Sequence, residues 1–192
     1  MKGFLIFIFF LLAAAISPHG PENQIFDARK IKVLYVGNSL TYSNDLPGLV
    51  EELGRMQGVR IQSKVIAKPN YALEDHWLEG TIQSEIKNNH YDFVVAQQGP
   101  SALPESQVML LESAVRFAEL CKETKTVFAL YMVWPSKSRS FDHDNVIYSY
   151  SNTAKKTASL LCPAGLAWKY AWEEDPNLPL YGNDNFHPSI MG

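Results

Sequence analysis

The sequence predicts a three-layer α/β fold, an open parallel sheet of about five strands with helices on both faces. Two observations carry the prediction. Short apolar runs alternate along the chain with longer segments whose apolar residues recur at helical spacing, and repeated strand-helix units close into a parallel sheet through right-handed crossovers. The composition agrees: 192 residues, 46% hydrophobic and 19% charged, are enough for one domain with a substantial core.

Ile31–Val36 is the first strand, apolar and short. A helix follows from Leu46, with Pro47 in its first turn, Asp45 as its cap and Gly58 as its stop. Val59–Ala67 alternates apolar and polar residues like a half-buried second strand, and a helix is predicted over Leu73–Asn88. Tyr91–Ala96 is apolar on consecutive positions, as in a strand covered on both faces. Ser106–Lys122 reads as a helix capped by Ser106, followed by strand Thr126–Val133. A helix over Asp144–Leu160 and a short segment at Pro163–Trp168 close the series.

The first seventeen residues form a separate unit. A single Lys2, an unbroken apolar stretch from Phe4 to Leu12 and small residues Ala13, Ala14 and Ala15 make a secretory signal peptide, with cleavage after Ala15 or Ser17. The stretch falls short of the roughly 20 apolar residues that a membrane span needs. The expected organisation is therefore a leader at 1–17, a linker at 18–29 and a domain at 30–192, exported to the periplasm or the extracellular space without stable membrane insertion after cleavage. Net charge is −3 with no Lys/Arg cluster beyond pairs such as Lys155-Lys156, which argues against nucleic acid as a partner. Cys121 and Cys162 could pair in an oxidising compartment or remain two thiols. The oligomeric state is not legible.

In open parallel sheets, ligands bind beyond the carboxyl ends of the strands, where strand order reverses. The strand ends here are polar: Gly37-Asn38-Ser39-Leu40, Lys68-Pro69-Asn70-Tyr71, Gln97-Gln98-Gly99-Pro100-Ser101 and Trp134-Pro135-Ser136. Near the other end of the chain, Gly182-Asn183-Asp184-Asn185-Phe186-His187-Pro188 sets a carboxylate three residues before an imidazole in a stretch of turn formers. In a tight turn that spacing lets Asp184 hold Nδ1–H of His187 and aim Nε2 outward. A neutral serine needs such a base before its hydroxyl becomes nucleophilic.

Gly37-Asn38-Ser39-Leu40 after the first strand, with Asp184-Asn185-Phe186-His187 near the end, resembles the SGNH (GDSL-like) hydrolase superfamily of esterases and acetylesterases, from about Lys30 to the last residue. The resemblance implies a flavodoxin-like form of the sheet, a Ser39, Asp184, His187 triad, and an oxyanion hole built from the backbone N–H of Ser39, that of Asn70 and the side-chain amide of Gln98. Asn70 stands where the family has a glycine, and Gln97-Gln98-Gly99 resembles the Gln-Gly element of carbohydrate acetylesterases. Asn38, Tyr71, Gln97 and Trp134 are the expected substrate-binding residues. The implied reaction is hydrolysis of ester bonds on a small molecule or a glycan through an acyl-enzyme, with no cofactor. The altered oxyanion blocks leave two alternatives: a non-catalytic glycan-binding domain, or an O-acyltransferase that passes the acyl group to a sugar hydroxyl.

Other polar clusters carry less. His76-Trp77 reads as a structural or rim pair. Asp142-His143-Asp144 has metal-ligand types, but an acidic-His cluster ahead of a helix reads as a cap with a solvated face, and no metal site is assigned. The family continues into a further helix where this chain stops at Gly192, so the expected domain lacks its last helix and leaves the loop carrying Asp184 and His187 loosely held.

Overall fold

The computed structural model describes residues 30–192, so the leader and linker expected over 1–29 lie outside the described residues. Five parallel strands form one sheet in the order β2-β1-β3-β4-β5, with β1 Lys30–Gly37, β2 Arg60–Ala67, β3 Phe93–Ala96, β4 Val127–Tyr131 and β5 Leu160–Cys162. β1 lies between β2 and β3. The chain steps from β1 to one side and then returns across it, which opens a crevice beyond the carboxyl ends of β1 and β3.

With crossovers of the right-handed sense that parallel strands almost always take, the helices divide between the two faces. α1 Ser39–Tyr42 and α2 Leu46–Met56 carry the chain from β1 to β2, and α2 packs on β2. α3 Leu73–Glu79, α4 Thr81–Asn88, α5 Pro104–Glu123 and α6 His143–Thr157 serve the crossovers running the other way and pack against one another in series. α7 Ala164–Glu174 follows β5. Leu34, Val36, Val94, Ala96 and Leu130 are buried strand residues of the core, joined by Leu73, Ile82 and Phe117 from the helices.

Several boundaries differ from the sequence reading, each for a local reason. The helix expected over Leu73–Asn88 is two helices, because Gly80 takes φ 75° and closes α3 with its N–H on Trp77 O. α5 begins earlier than expected, at Pro104. Ser106 sits one turn in and reaches back, its Oγ accepting from Leu103 N at 3.1 Å. The helix expected to run to Leu160 stops at Thr157, where Ala158 turns left-handed with φ 50°, and Leu160–Cys162 pairs with β4 instead. A three-residue strand is too short to leave a period in the sequence. The segment at Pro163–Trp168 opens α7.

The cysteines are two free thiols: Cys121 is buried in α5 and Cys162 exposed at the end of β5. Burial pushes the Cys121 thiol up to about 12. Asp142, His143 and Asp144 go separate ways, to Arg139, the Gly165 carbonyl and Lys169 respectively, and no cluster able to hold a metal is found among the described residues. No described helix is long and apolar enough to cross a membrane.

Candidate active site

The carboxyl end of β1 leads straight into α1. Asn38 caps that helix, its Oδ1 accepting from Leu40 N at 3.1 Å, so Ser39 is the first helical residue. An N–H at that position has no acceptor inside its own helix. Beyond Tyr42 the chain makes a 3-10 turn in which Asn44 and Asp45 both take φ 54°, and Asp45 then caps α2 by accepting from Gly48 N at 3.3 Å. Two consecutive left-handed residues account for the polar run between the strand and α2.

Gly37 is needed for space. A Cβ there would fall 2.3 Å from Thr41 Oγ1 and 2.6 Å from Gln97 Oε1. Those atoms form the buttress of the turn: Gln97 Oε1 accepts from Asn38 N at 3.0 Å and from Thr41 Oγ1 at 2.7 Å. Behind it, His76 is fully buried and its Nε2–H donates to Gly37 O at 2.7 Å. Gly37→Ala is expected to cost about 1–3 kcal/mol by overpacking, read as a lower urea midpoint with unchanged slope.

Gln97 was expected to touch substrate. It is 0% exposed and holds the serine turn from beneath, its Nε2 donating to Gln98 O. Gln98 was expected to offer its amide to an oxyanion. The amide is already committed, Nε2 donating to Ser101 Oγ at 3.1 Å and Oε1 accepting from Leu73 N at 3.3 Å. Tyr150, buried in α6, fixes the same loop through its hydroxyl, which donates toward Gln98 O at 2.6 Å and Gly99 O at 3.0 Å. After β2, Asn70 takes φ 62° in the turn closed by Tyr71 N on Lys68 O. This is the left-handed conformation that glycine favours and asparagine tolerates. The family's glycine position is thus met in backbone shape, with Asn38 Nδ2 tying the first loop to the second at Tyr71 O, 3.0 Å.

The terminal loop is firmly held, contrary to the sequence expectation. Gly182 N donates to His187 O at 2.7 Å, Ser189 N to Leu180 O at 2.8 Å and Lys137 N to Asn185 O at 2.9 Å. Asn44 Nδ2 reaches across to Pro188 O and Ser189 O, at 2.9 and 2.8 Å, and Tyr181 OH donates to Pro135 O at 2.7 Å. Trp134, expected as a pocket wall, belongs to this clamp. It is 1% exposed, stacks on Trp168 with ring centroids 3.6 Å apart, and donates Nε1–H to Phe186 O at 3.0 Å. Asn44, Tyr150 and Trp168 are positioning residues that the sequence did not single out, because a polar turn residue and aromatic residues on helices carry no signal of a distant partner.

Within that loop one carboxylate does two jobs. Asp184 Oδ1 accepts from Phe186 N at 3.0 Å and His187 N at 2.9 Å, while Oδ2 accepts from His187 Nδ1 at 2.5 Å. The other ring nitrogen, Nε2, lies 2.8 Å from Ser39 Oγ, linking residues 148 apart in sequence. With Nδ1–H given to the carboxylate, Nε2 is the acceptor for the serine proton. The His187 hydrogen bond, with the two backbone N–H groups, holds the Asp184 carboxyl down at about 2.

A cavity of about 480 Å³ adjoins this arrangement, lined by Asn38, Asn70, Tyr71, Gln98 and Phe186 among others. Of the residues expected to bind substrate, Asn38 and Tyr71 line it, and Gln97 and Trp134 do not.

No family model matches the chain. No curated protein matches it either. Solved structures do. A candidate SGNH hydrolase from Slackia heliotrinireducens superposes with a TM-score of 0.69 at 22% identity, covering 84% of this chain and 91% of that one. A lipase/acylhydrolase from Enterococcus faecalis gives 0.64 at 14% identity, covering 83% and 87%. A catalytic mutant of an acetylxylan esterase from Geobacillus stearothermophilus gives 0.59 at 16% identity, with the same coverage of 83% and 87%. Likeness at these identities is a likeness of fold, and together with the strand order it establishes that the chain has the fold of the SGNH hydrolases.

Proposed function

We propose that the protein is a serine esterase in which Ser39 is the nucleophile, His187 the general base and Asp184 the residue that orients and stabilises the imidazole. The observation that carries this reading is the continuous hydrogen-bond relay from Asp184 Oδ2 through both ring nitrogens of His187 to Ser39 Oγ. His187 Nε2 takes the serine proton as Oγ attacks the ester carbonyl carbon. The tetrahedral oxyanion is met by the N–H of Ser39 at the start of α1 and by that of Asn70. His187 then protonates the departing alcohol, leaving an acyl-serine. Water attacks that ester by the same route, freeing the acid and restoring the hydroxyl.

The committed Gln98 amide leaves the hole with two backbone donors, the N–H groups of Ser39 and Asn70. Removing one such donor costs about 3 kcal/mol in transition-state stabilisation. Three of the structures similar in fold are of an acetylxylan or acetyl-xylooligosaccharide esterase, which supports O-acetylated carbohydrate as one substrate class; another is a lipase/acylhydrolase. Action outside the cytoplasm rests on the leader read in residues 1–17.

Intact-mass analysis after treatment with a fluorophosphonate tests the assignment, run on the leaderless protein beside Ser39→Ala and His187→Ala. One adduct on the parent that is lost in both variants is expected. A folded parent that takes no adduct overturns the reading.

Asp184 gives a second check through pH. Its folded pKa lies below the ordinary 3.8, so its contribution to folding is fully present above that value and is lost as pH falls through about 2. The difference in thermal midpoint between the parent and Asp184→Asn is expected to be present at about pH 5 and to shrink between about pH 4 and about pH 2.

A further inference from the structure

We propose that the cavity beside Ser39 receives an apolar acyl group much larger than acetyl, an alkyl chain or aromatic ring, with Leu103, at the N-cap of α5, and Met109 of α5 as the residues that select it. The inference rests on the serine esterase reading and concerns which ester that site prefers.

Size is the first ground. A cavity of about 480 Å³ falls in the range of about 300–1,000 Å³ that holds drug-sized ligands, far beyond the two carbons of an acetyl group. Its position is the second. Asn38 and Phe186, which line it, are the immediate chain neighbours of Ser39 and His187, which sets the cavity next to the relay and is the ground on which the acyl group is assigned to it.

The state of its polar groups decides the chemistry. Asn38 has both side-chain polar atoms engaged, by Leu40 N and Tyr71 O, and the Gln98 amide is spent on Ser101 and Leu73 N. Arg139 gives Nε and one N–H of Nη2 to Asp142, whose other oxygen accepts from Asn145, and its remaining N–H groups belong to an exposed side chain at the rim. Ser106 bonds back to Leu103, Ser136 to Ser138, and the Tyr71 hydroxyl to Glu79. Among the polar side chains of the wall, Asn70, exposed at the lip, is the one without a hydrogen-bond partner among the described residues.

A sugar ring carries hydroxyls around its rim and loses free energy when they are buried against groups that cannot answer them. An alkyl or aryl group makes no such demand, and the remaining wall suits it: Ala72, Ala102, Leu103, Met109, Pro135 and Phe186. Leu103 and Met109 are 48% and 37% exposed, large apolar side chains left open at this edge of the cavity. In the reaction the Ser39 Oγ–acyl bond forms as the acyl–alcohol bond breaks, with the proton passing through His187 to the alcohol. Water then cleaves the acyl-serine. The apolar group stays in the cavity through both steps.

The test is kcat/KM for p-nitrophenyl acetate, butyrate, hexanoate and octanoate on the parent, on Leu103→Asn and on Met109→Asn. The parent is expected to favour hexanoate or octanoate over acetate by about tenfold or more. Each variant is expected to lower the octanoate-to-acetate ratio by about tenfold, which separates wall contact from the general partitioning of longer esters. A preference for acetate overturns the proposal while leaving the esterase reading intact, as does a ratio that neither variant changes. Hydrolysis of none of these esters, together with no fluorophosphonate adduct, overturns both.

Discussion

Ser39→Ala is expected to lower kcat for ester hydrolysis by about 10,000-fold or more, and His187→Ala by as much, with the double variant no worse than either alone. The expectation follows from the relay: Ser39 Oγ and His187 Nε2 stand 2.8 Å apart and act as one unit, so removing either partner removes the activated nucleophile. Asp184→Asn is expected to cost less. The Asp184 side chain is 53% exposed and that of His187 35%, so water screens part of the carboxylate's pull on the imidazolium. What Asp184→Asn loses is chiefly orientation, since Asp184 also accepts from two backbone N–H groups that shape the loop. A loss of about 100- to 1,000-fold is expected, intermediate between parent and Ser39→Ala. Steady-state kcat for the four variants, with far-ultraviolet circular dichroism to establish folding, checks the ordering. Equal turnover in Ser39→Ala and parent would remove the nucleophile assignment altogether.

The parts of this site that the sequence displayed are those carried by short local patterns. Ser39 follows a strand and a glycine, and Asp184 and His187 share one tight turn, so a few neighbouring residues define each. Their convergence over 148 positions then follows from the fold, because β1 lies inside the sheet where the strand order reverses and its end faces the crevice. Gln97 and Trp134 mislead for a shared reason. Each stands at the end of a strand, where a polar or aromatic residue looks the same whether it faces the crevice or the core behind it. Only the tertiary partners decide: Thr41 and Asn38 N for Gln97, Trp168 and Phe186 O for Trp134. Asn70 was ambiguous because the required left-handed turn is a backbone property that asparagine can satisfy without the glycine that usually announces it. The strength of the terminal loop was hidden more deeply, since its holding bonds come from Asn44, Lys137 and Trp134, three segments remote in sequence.

Trp134→Ala is expected to be the most destabilising single change at the site, and Trp134→Phe to reveal why the residue is there. Trp134→Ala empties a site that is 1% exposed and removes the ring stacked on Trp168, a loss of about 3–5 kcal/mol. At about 2–4 °C per kcal/mol for a domain of this size, the thermal midpoint should fall by roughly 6–20 °C. That loss alone would not separate a core residue from a pocket wall. Trp134→Phe keeps a ring against Trp168 but loses part of the indole together with the Nε1–H that holds Phe186 O, a stability change of about 1–2 kcal/mol, well short of that of Trp134→Ala. Phe186 directly precedes His187, so the released carbonyl lets the imidazole drift relative to Ser39. A displacement of about 1 Å in a reacting group can cost about a hundredfold in rate. The expected signature of Trp134→Phe is therefore a kcat lowered by about tenfold with KM nearly unchanged and a smaller shift in thermal midpoint than in Trp134→Ala. If Trp134 instead contacted substrate, the same variant would raise KM and leave kcat in place. The two parameters measured on one folded variant thus discriminate between a residue that aims the base and one that binds the ester.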